Sequence, residues 1–277
     1  MNVEMTSRFL SDARFRVCLD FAESHGIAED RSLDVAVRLY RWNVDMAAEV
    51  MKCVAYLEVF VRNAIDAQLL SWIRGQRIES FSDWIDVEGR DPIGRIRKLV
   101  NADGQDHFAS AKASALYKRQ AWKSDSRHPR HGDMINRDDV FAQFTFGAWE
   151  SILRRSSDDP ELAQVLMGAF PYIERAWELE TKRMPNAKLP GNADDSRSDR
   201  LRKELVSRLR RIRDVRNRAS HEENLLRVEF PKVRRDMLFV LGALDPECIR
   251  FALPDSAESL KRADPMQIVV ANRRYTS

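Results

Sequence analysis

Residues 44–73 carry the longest unbroken hydrophobic period in the chain. Val50, Val54, Leu57, Val61 and Ile65 recur at helical spacing, which makes one apolar face of an α-helix. Asn43 stands where it can cap the start of that helix. The same period returns in other segments. Residues 7–24 show Phe9, Leu10, Ala13, Val17 and Phe21 on one face, with Gly26 placed to end the helix. A second helix can be capped by Asp30 or Ser32 and holds Leu33, Ala36, Val37 and Tyr40 inside. Further helices are predicted at about 105–122, 138–154, 159–169, 171–182, 197–220 and 231–242, with a short pair within 245–263. No segment alternates apolar and polar residues for long, and the chain has only 10 Gly and 10 Pro. The predicted fold class is therefore all-α. The expected organisation is a single helical domain over 1–264, with an irregular insert at about 74–136. A C-terminal tail, 265–277, looks frayed.

The composition narrows the function classes. A hydrophobic share of 44% with 32% charged residues is that of a globular protein with a core of its own. No run of 18 apolar residues occurs, so no membrane span is expected. Arg8, Asp12, Arg14, Arg16 and Asp20 interrupt any secretory apolar segment near the start. Cys18, Cys53 and Cys248 are odd in number and far apart, and they read as reduced thiols of a cytoplasmic protein.

The predicted helix at 197–220 contains the anomaly that points to chemistry. Leu201, Leu205, Leu209 and Ile212 form its apolar stripe, and Arg216 falls on the same stripe between Leu209 and Ile212 in projection. A guanidinium does not lose its charge, and burying it unpaired is costly. Asn217 follows, and His221 lies five residues past Arg216. An Arg-x-x-x-x-His match is a weak signal in a chain with 46 Lys+Arg and 5 His. The placement on the stripe is what raises it. The same residues also fit a structural role: Arg216 paired with a carboxylate such as Glu58, and His221 closing a helix C-terminus, where a cation is favoured. Between Arg197 and Arg218 ten Lys/Arg face three Asp/Glu. Such a run can guide a phosphate backbone, and it also occurs as a solvated helix face.

Other motifs carry less. GRDPIGRI has glycines at phosphate-loop spacing, but Arg95-Ile96 stand where Lys-Ser/Thr is needed, so it is set aside. Asp91-Pro92 instead looks like a helix start. HEENL at 221–225 lacks the second His of a zinc-protease motif. His128 and His131, with His107 remote, have no fixed second pair of ligands, and no metal site is expected. Phe141, Phe144, Phe146 and Trp149 read as core aromatics, with stacking on RNA bases as the sharper alternative.

Four stretches in order resemble the Abi-like (abortive infection) branch of the HEPN superfamily. Leu39-Tyr40-Arg41-Trp42-Asn43 is similar to its Leu-Tyr-x-Trp-Asn segment, and Leu57-Glu58-Val59-Phe60-Val61-Arg62-Asn63 to its Leu-Glu-x-x-x-Arg-Asn segment. Thr145-Phe146-Gly147-Ala148-Trp149 resembles its Phe-Gly-x-Trp segment, and Arg216-Asn217-Arg218-Ala219-Ser220-His221-Glu222 resembles its Arg-Asn-Arg-x-x-His signature. The chain departs from the pattern at Glu222, where most members carry a second His, and at Asn224, where a Pro is usual. The resemblance spans about residues 8–263. It implies an HEPN-like helical bundle with peripheral helices, metal-independent RNA cleavage without a cofactor, dimerisation, and a phage-defence or toxin setting in which an antitoxin RNA or protein restrains the activity.

The expected reaction is attack of an RNA 2′-hydroxyl on its neighbouring phosphate. Catalytic roles fall to His221 as proton-transfer group, Arg216 as phosphate clamp and Asn217 as orienting group. Glu58, Arg62 and Asn63 are the expected supporting residues. Arg202, Arg210, Arg213 and Arg218 are the expected RNA contacts. On an ideal helix Arg216 and His221 point about 140° apart. Convergence therefore needs a helix break near 218–221 or a second copy across a symmetric seam. The rival reading is a non-catalytic RNA- or protein-binding helical module, in which Arg216 is only a counter-ion.

Overall fold

The computed structural model describes residues 10–76, 83–85, 91–101, 104–255 and 257–273. Among these residues there are thirteen α-helices and no strand. In chain order they are α1 (Asp12–Ser24), α2 (Glu29–Gly75), α3 (Ile93–Val100), α4 (His107–Ser124), α5 (Arg137–Phe141), α6 (Phe146–Arg155), α7 (Pro160–Met167), α8 (Ile173–Arg183), α9 (Arg197–Ser220), α10 (Phe230–Leu244), α11 (Pro246–Ala252), α12 (Glu258–Arg262) and α13 (Met266–Arg273). A 3₁₀ turn, Ser156–Asp158, follows α6.

The chain divides into two compact units. The first comprises residues 1–57, 211–239 and 247–277, and the second 58–210 and 240–246. In the first unit the core gathers Phe15, Cys18, Leu19 and Ala22 of α1 with Val35, Ala36 and Leu39 of α2, plus Leu226 and Val269. Trp42 meets Phe230 edge to face at 5.7 Å. Arg211 of α9 forks onto the buried Asp236 of α10 at 2.7 and 2.8 Å. A bidentate guanidinium satisfies a carboxylate that burial would otherwise destabilise.

In the second unit Trp84 is the hub. Its ring is fully buried and meets Phe108 at 5.8 Å and Trp149 at 6.2 Å, while Phe108 meets Phe144 at 5.3 Å. These edge-to-face pairs align a ring's positive rim with another's negative face. Trp84 Nε1 donates to Asp66 at 2.7 Å. Arg137 bonds both Asp66 and Asp83, which closes a buried polar network beside the rings. Phe141, Phe144, Phe146 and Trp149 are all buried.

Four elements differ from the sequence expectation. No break occurs at Asn43: α2 runs through it for 47 residues. Asn43 is buried, its Nδ2 donates to Glu223 O at 3.3 Å, and its Oδ1 accepts from Leu225 N at 2.6 Å. The residue serves a distant turn and not its own helix. The aromatic segment expected as one helix at 138–154 is split into α5 and α6. The amides of Gln143 and Phe144 fall back onto Val140 O and Phe141 O, tightening the backbone between the two helices. The tail is ordered as α13 up to Arg273, its Val269 buried in the first unit's core. Asp91 does not cap α3, which starts at Ile93 with no side-chain cap bond.

Candidate functional site

α9 is made by the stripe read in the sequence: Leu201, Leu205, Leu209 and Ile212 are all buried. Beyond Ile212 the buried positions are Val215 and Ala219, and Arg216 is half-buried between them. Its Nη1 donates to Asn217 Oδ1 at 3.2 Å. The helix ends in a Schellman turn. Glu222 N donates to Ala219 O at 3.2 Å and Glu223 N to Arg218 O at 2.8 Å, with Glu222 left-handed at φ 55. That pair of bonds satisfies carbonyls the last turn leaves open. His221 is the C-cap residue, its own amide still bonded to Asn217 O at 3.0 Å. The side chain is exposed just where the helix period stops.

His221 lines a cavity of about 320 Å³ in the first unit. Arg14, Val17 and Cys18 of α1 form one wall, Tyr40 and Asn43 of α2 a second, and Arg218 with Glu222–Asn224 the third. Arg14 Nη1 pairs with Glu222 at 2.7 Å, with both side chains at least half exposed. Arg218 bonds Asn224 O and lies 3.8 Å from Glu223. Burial pushes the Cys18 thiol up to about 11, which disfavours its thiolate form. The Tyr40 hydroxyl has no hydrogen-bond partner among the described residues. The cavity thus presents one imidazole, two guanidiniums and a phenol hydroxyl.

The residues expected to act together are distributed as follows. Arg216 and Asn217 touch one another, but neither belongs to the wall of the His221 cavity. Arg218 does. Arg202 is buried in the second unit, its Nη1 donating to Leu153 O at 3.0 Å and Arg154 O at 3.2 Å, with Asp199 beside it. A guanidinium held that way ties α9 to the end of α6 and has no open face for a phosphate. Arg210 is half exposed and lies 3.6 Å from Glu150. Arg213 donates to Asp214 at 2.9 Å. Glu58, Arg62 and Asn63 belong to the second unit, where Arg62 lies 5.1 Å over the Phe141 ring and Asn63 is exposed. Two further residues, Arg14 and Tyr40, line the His221 cavity. Tyr40 stands in the quoted Leu-Tyr-x-Trp-Asn segment, which was the available signal, whereas nothing local distinguishes Arg14.

Among the described residues no three His, Cys, Asp or Glu side chains converge as a metal set, and no helix is long and apolar enough to cross a membrane. His128 is stacked on Trp122 at 5.8 Å, and its Nδ1 accepts from Arg130 N at 3.1 Å. No family model matches the chain, and no curated protein or solved structure is significantly similar to it.

Proposed function

We propose that the chain is an endoribonuclease that cleaves RNA by 2′-hydroxyl attack, working from its own side chains, with His221 as the proton-transfer residue. The observation that carries this reading is an exposed imidazole at the end of a basic helix, on a cavity walled by two guanidiniums. His221 removes the 2′-hydroxyl proton or delivers one to the leaving 5′-oxygen. Arg218 and Arg14 neutralise the phosphate as charge builds on its oxygens. The Arg14–Glu222 pair is solvent-exposed, and such pairs contribute roughly 0–1 kcal/mol, so a phosphate displaces Glu222 at little cost. The four segments that resemble the Abi-like HEPN branch support the same chemistry and a defence or toxin role.

In this proposal Arg216 acts in trans. It does not line the His221 cavity of its own chain, and a two-fold dimer places one copy's Arg216 against the other copy's His221. The test is cleavage of total or synthetic RNA by purified protein. His221→Ala abolishes cleavage with helicity unchanged, and Arg216→Lys loses most of it because the bidentate fork is gone. Mixing Arg216→Ala with His221→Ala restores about a quarter of wild-type activity, since half the dimers then hold one complete site. Equal cleavage by wild type and His221→Ala removes the imidazole from the reaction.

One observation favours the rival reading of a binding module. Arg14 and Arg218 already have acidic or carbonyl partners in the free chain, and His221 sits where a C-capping cation offsets the helix dipole. RNA binding without cleavage, unchanged by His221→Ala, is the outcome that reading requires.

A further inference from the structure

A cavity of about 580 Å³ opens in the second unit, lined by residues of α3, α4 and α5. The buried Ile85, Phe108 and Val140 and the half-buried Ile135 give it an apolar wall. Arg97 of α3 is half-buried, and its guanidinium lies over the Phe108 ring, 4.1 Å from the centroid. That contact holds a cation on the negative face of the ring and leaves the N–H edge of the guanidinium uncovered. No hydrogen bond or ion pair joins that edge to any described residue. Lys112, four residues past Phe108, shares its side of α4, is exposed, and likewise has no such partner among the described residues.

The other polar groups of the wall are occupied. Asp106 caps α4, its Oδ1 accepting from Ala109 N and from Asn101 Nδ2, both at 3.0 Å. The Ala109 amide above all holds that carboxyl below its ordinary value of 3.8. Arg137 bonds Asp66 and Asp83. Asn136 Oδ1 accepts from Asp139 N at 3.0 Å, which leaves its Nδ2 to donate. The first amides of α4 are taken as well: His107 N donates to Asn101 Oδ1 at 2.9 Å, and Ser110 N to Asp106 O at 3.0 Å. Recognition therefore rests on side chains and not on the helix end.

The charges select the ligand. A guanidinium drawn partly out of water with no acid in contact is disfavoured until an anion reaches it. Asp106, together with the two carboxylates paired to Arg137, opposes a second negative charge, so a singly charged group fits better than a phosphate, which carries close to two. The open edge of a guanidinium is a planar fork that matches the two oxygens of a carboxylate. We propose that this cavity binds a monocarboxylate with an apolar body, its carboxylate on the edge of Arg97 with Lys112 beside it, its body against Ile85, Ile135 and Val140. The volume lies in the range of small-ligand pockets, which combine apolar lining with a few placed polar groups. The carboxylate is that of a free acid or of the last residue of a peptide. The His221 cavity belongs to the first unit, and this site does not depend on cleavage there.

Calorimetric titration of the full chain at low salt tests this with 3-phenylpropionate, its neutral amide, acetate, phenyl phosphate and an acetylated tripeptide ending in phenylalanine. 3-Phenylpropionate binds, and the amide and acetate each bind at least tenfold more weakly. Arg97→Gln lowers the affinity for 3-phenylpropionate at least tenfold, Lys112→Gln lowers it at least threefold, and His221→Ala leaves it unchanged. A tripeptide that binds tenfold more tightly than 3-phenylpropionate and loses that binding in Arg97→Gln assigns the carboxylate to a peptide end, and comparable or weaker binding assigns it to the free acid. Thermal melts that match wild type exclude misfolding of Arg97→Gln, and Lys112→Gln, at an exposed position, provides the second variant. No binding of 3-phenylpropionate or the tripeptide at millimolar concentration overturns the proposal. So does binding that both variants retain, equal binding of the amide, or tighter binding of phenyl phosphate. Failure here leaves RNA cleavage by wild type intact, so the two readings fall separately.

Discussion

Glu222 adopts the backbone conformation in which helix ends favour glycine. The same motif closes α1, where Ile27 N bonds Ala22 O at 3.2 Å, Gly26 N bonds Glu23 O at 2.9 Å, and Gly26 takes the left-handed position at φ 77. His25 and His221 are the C-cap residues of these two matching turns. A non-glycine residue there costs about 1 kcal/mol, offset in part by the exposed pair with Arg14. Glu222→Gly relieves the backbone and loses the pair, and the two nearly cancel, so stability changes by less than about 0.5 kcal/mol. Glu222→Val, β-branched and unpaired, costs about 1–2 kcal/mol. Thermal melts of the two variants check both numbers. Gly26 was readable as a helix stop because the residue type announces the geometry. The end of α9 was readable only because its apolar stripe ran out, for Glu222 gives no such signal. That the chain bends at Glu222, leaving His221 at the rim of a cavity, was beyond the sequence.

Among the elements, α2 shows what local pattern can and cannot deliver. Its stripe of Val50, Val54, Leu57, Val61 and Ile65 is buried as the period requires. Its continuity is hidden in the sequence, because Asn before an apolar run has the form of a cap. The bonds that explain Asn43 join residues 180 and 182 positions away, and no window of sequence reaches that far. Asn43 clamps the segment just after His221, so it positions the candidate site and does not act in it. Asn43→Ala strands the buried Leu225 N and releases the part-buried Glu223 O, and costs roughly 1–3 kcal/mol. Hydrogen exchange checks the location: the amide of Leu225 loses protection first. Arg202 teaches the same lesson about charge. A basic residue on a basic helix suggested phosphate, yet its partners are carbonyls of Leu153 and Arg154. The break between α5 and α6 was equally illegible, since its purpose is to turn Phe141, Phe144 and Trp149 onto one aromatic cluster centred on Trp84, itself in the stretch that read as irregular.

At the scale of the whole molecule, a net charge of +3 conceals carboxylates that arginines hold at close range. Arg95 forks onto Asp159 at 2.6 and 2.8 Å and reaches Glu161 at 2.8 Å, which binds α3 to α7 within the second unit. Arg130 forks onto Asp139 at 2.6 and 2.7 Å. The Arg95 guanidinium holds the Asp159 carboxyl below its ordinary value of 3.8, and Arg130 does the same for Asp139. The sign follows from linkage. A carboxyl depressed in the folded state contributes stability that is complete above its unfolded value and is lost as pH falls through its folded value. The stability these two pairs contribute is therefore constant between neutrality and about 5, and weakens progressively below about 4. Asp159→Asn isolates the effect. Asn still caps α7 through Leu162 N, which Asp159 accepts at 3.1 Å, so the helix start survives while the charge is removed. The variant loses roughly 1 kcal/mol at pH 7, a fall of about 2–4 °C in melting temperature. Its acid limb is shallower than wild type, because one of the groups that binds a proton on unfolding is gone. Melts between pH 2.5 and 7 give the comparison directly. Parallel curves for the two proteins would mean that Asp159 and Arg95, close as they are, contribute nothing to how the unit responds to acid.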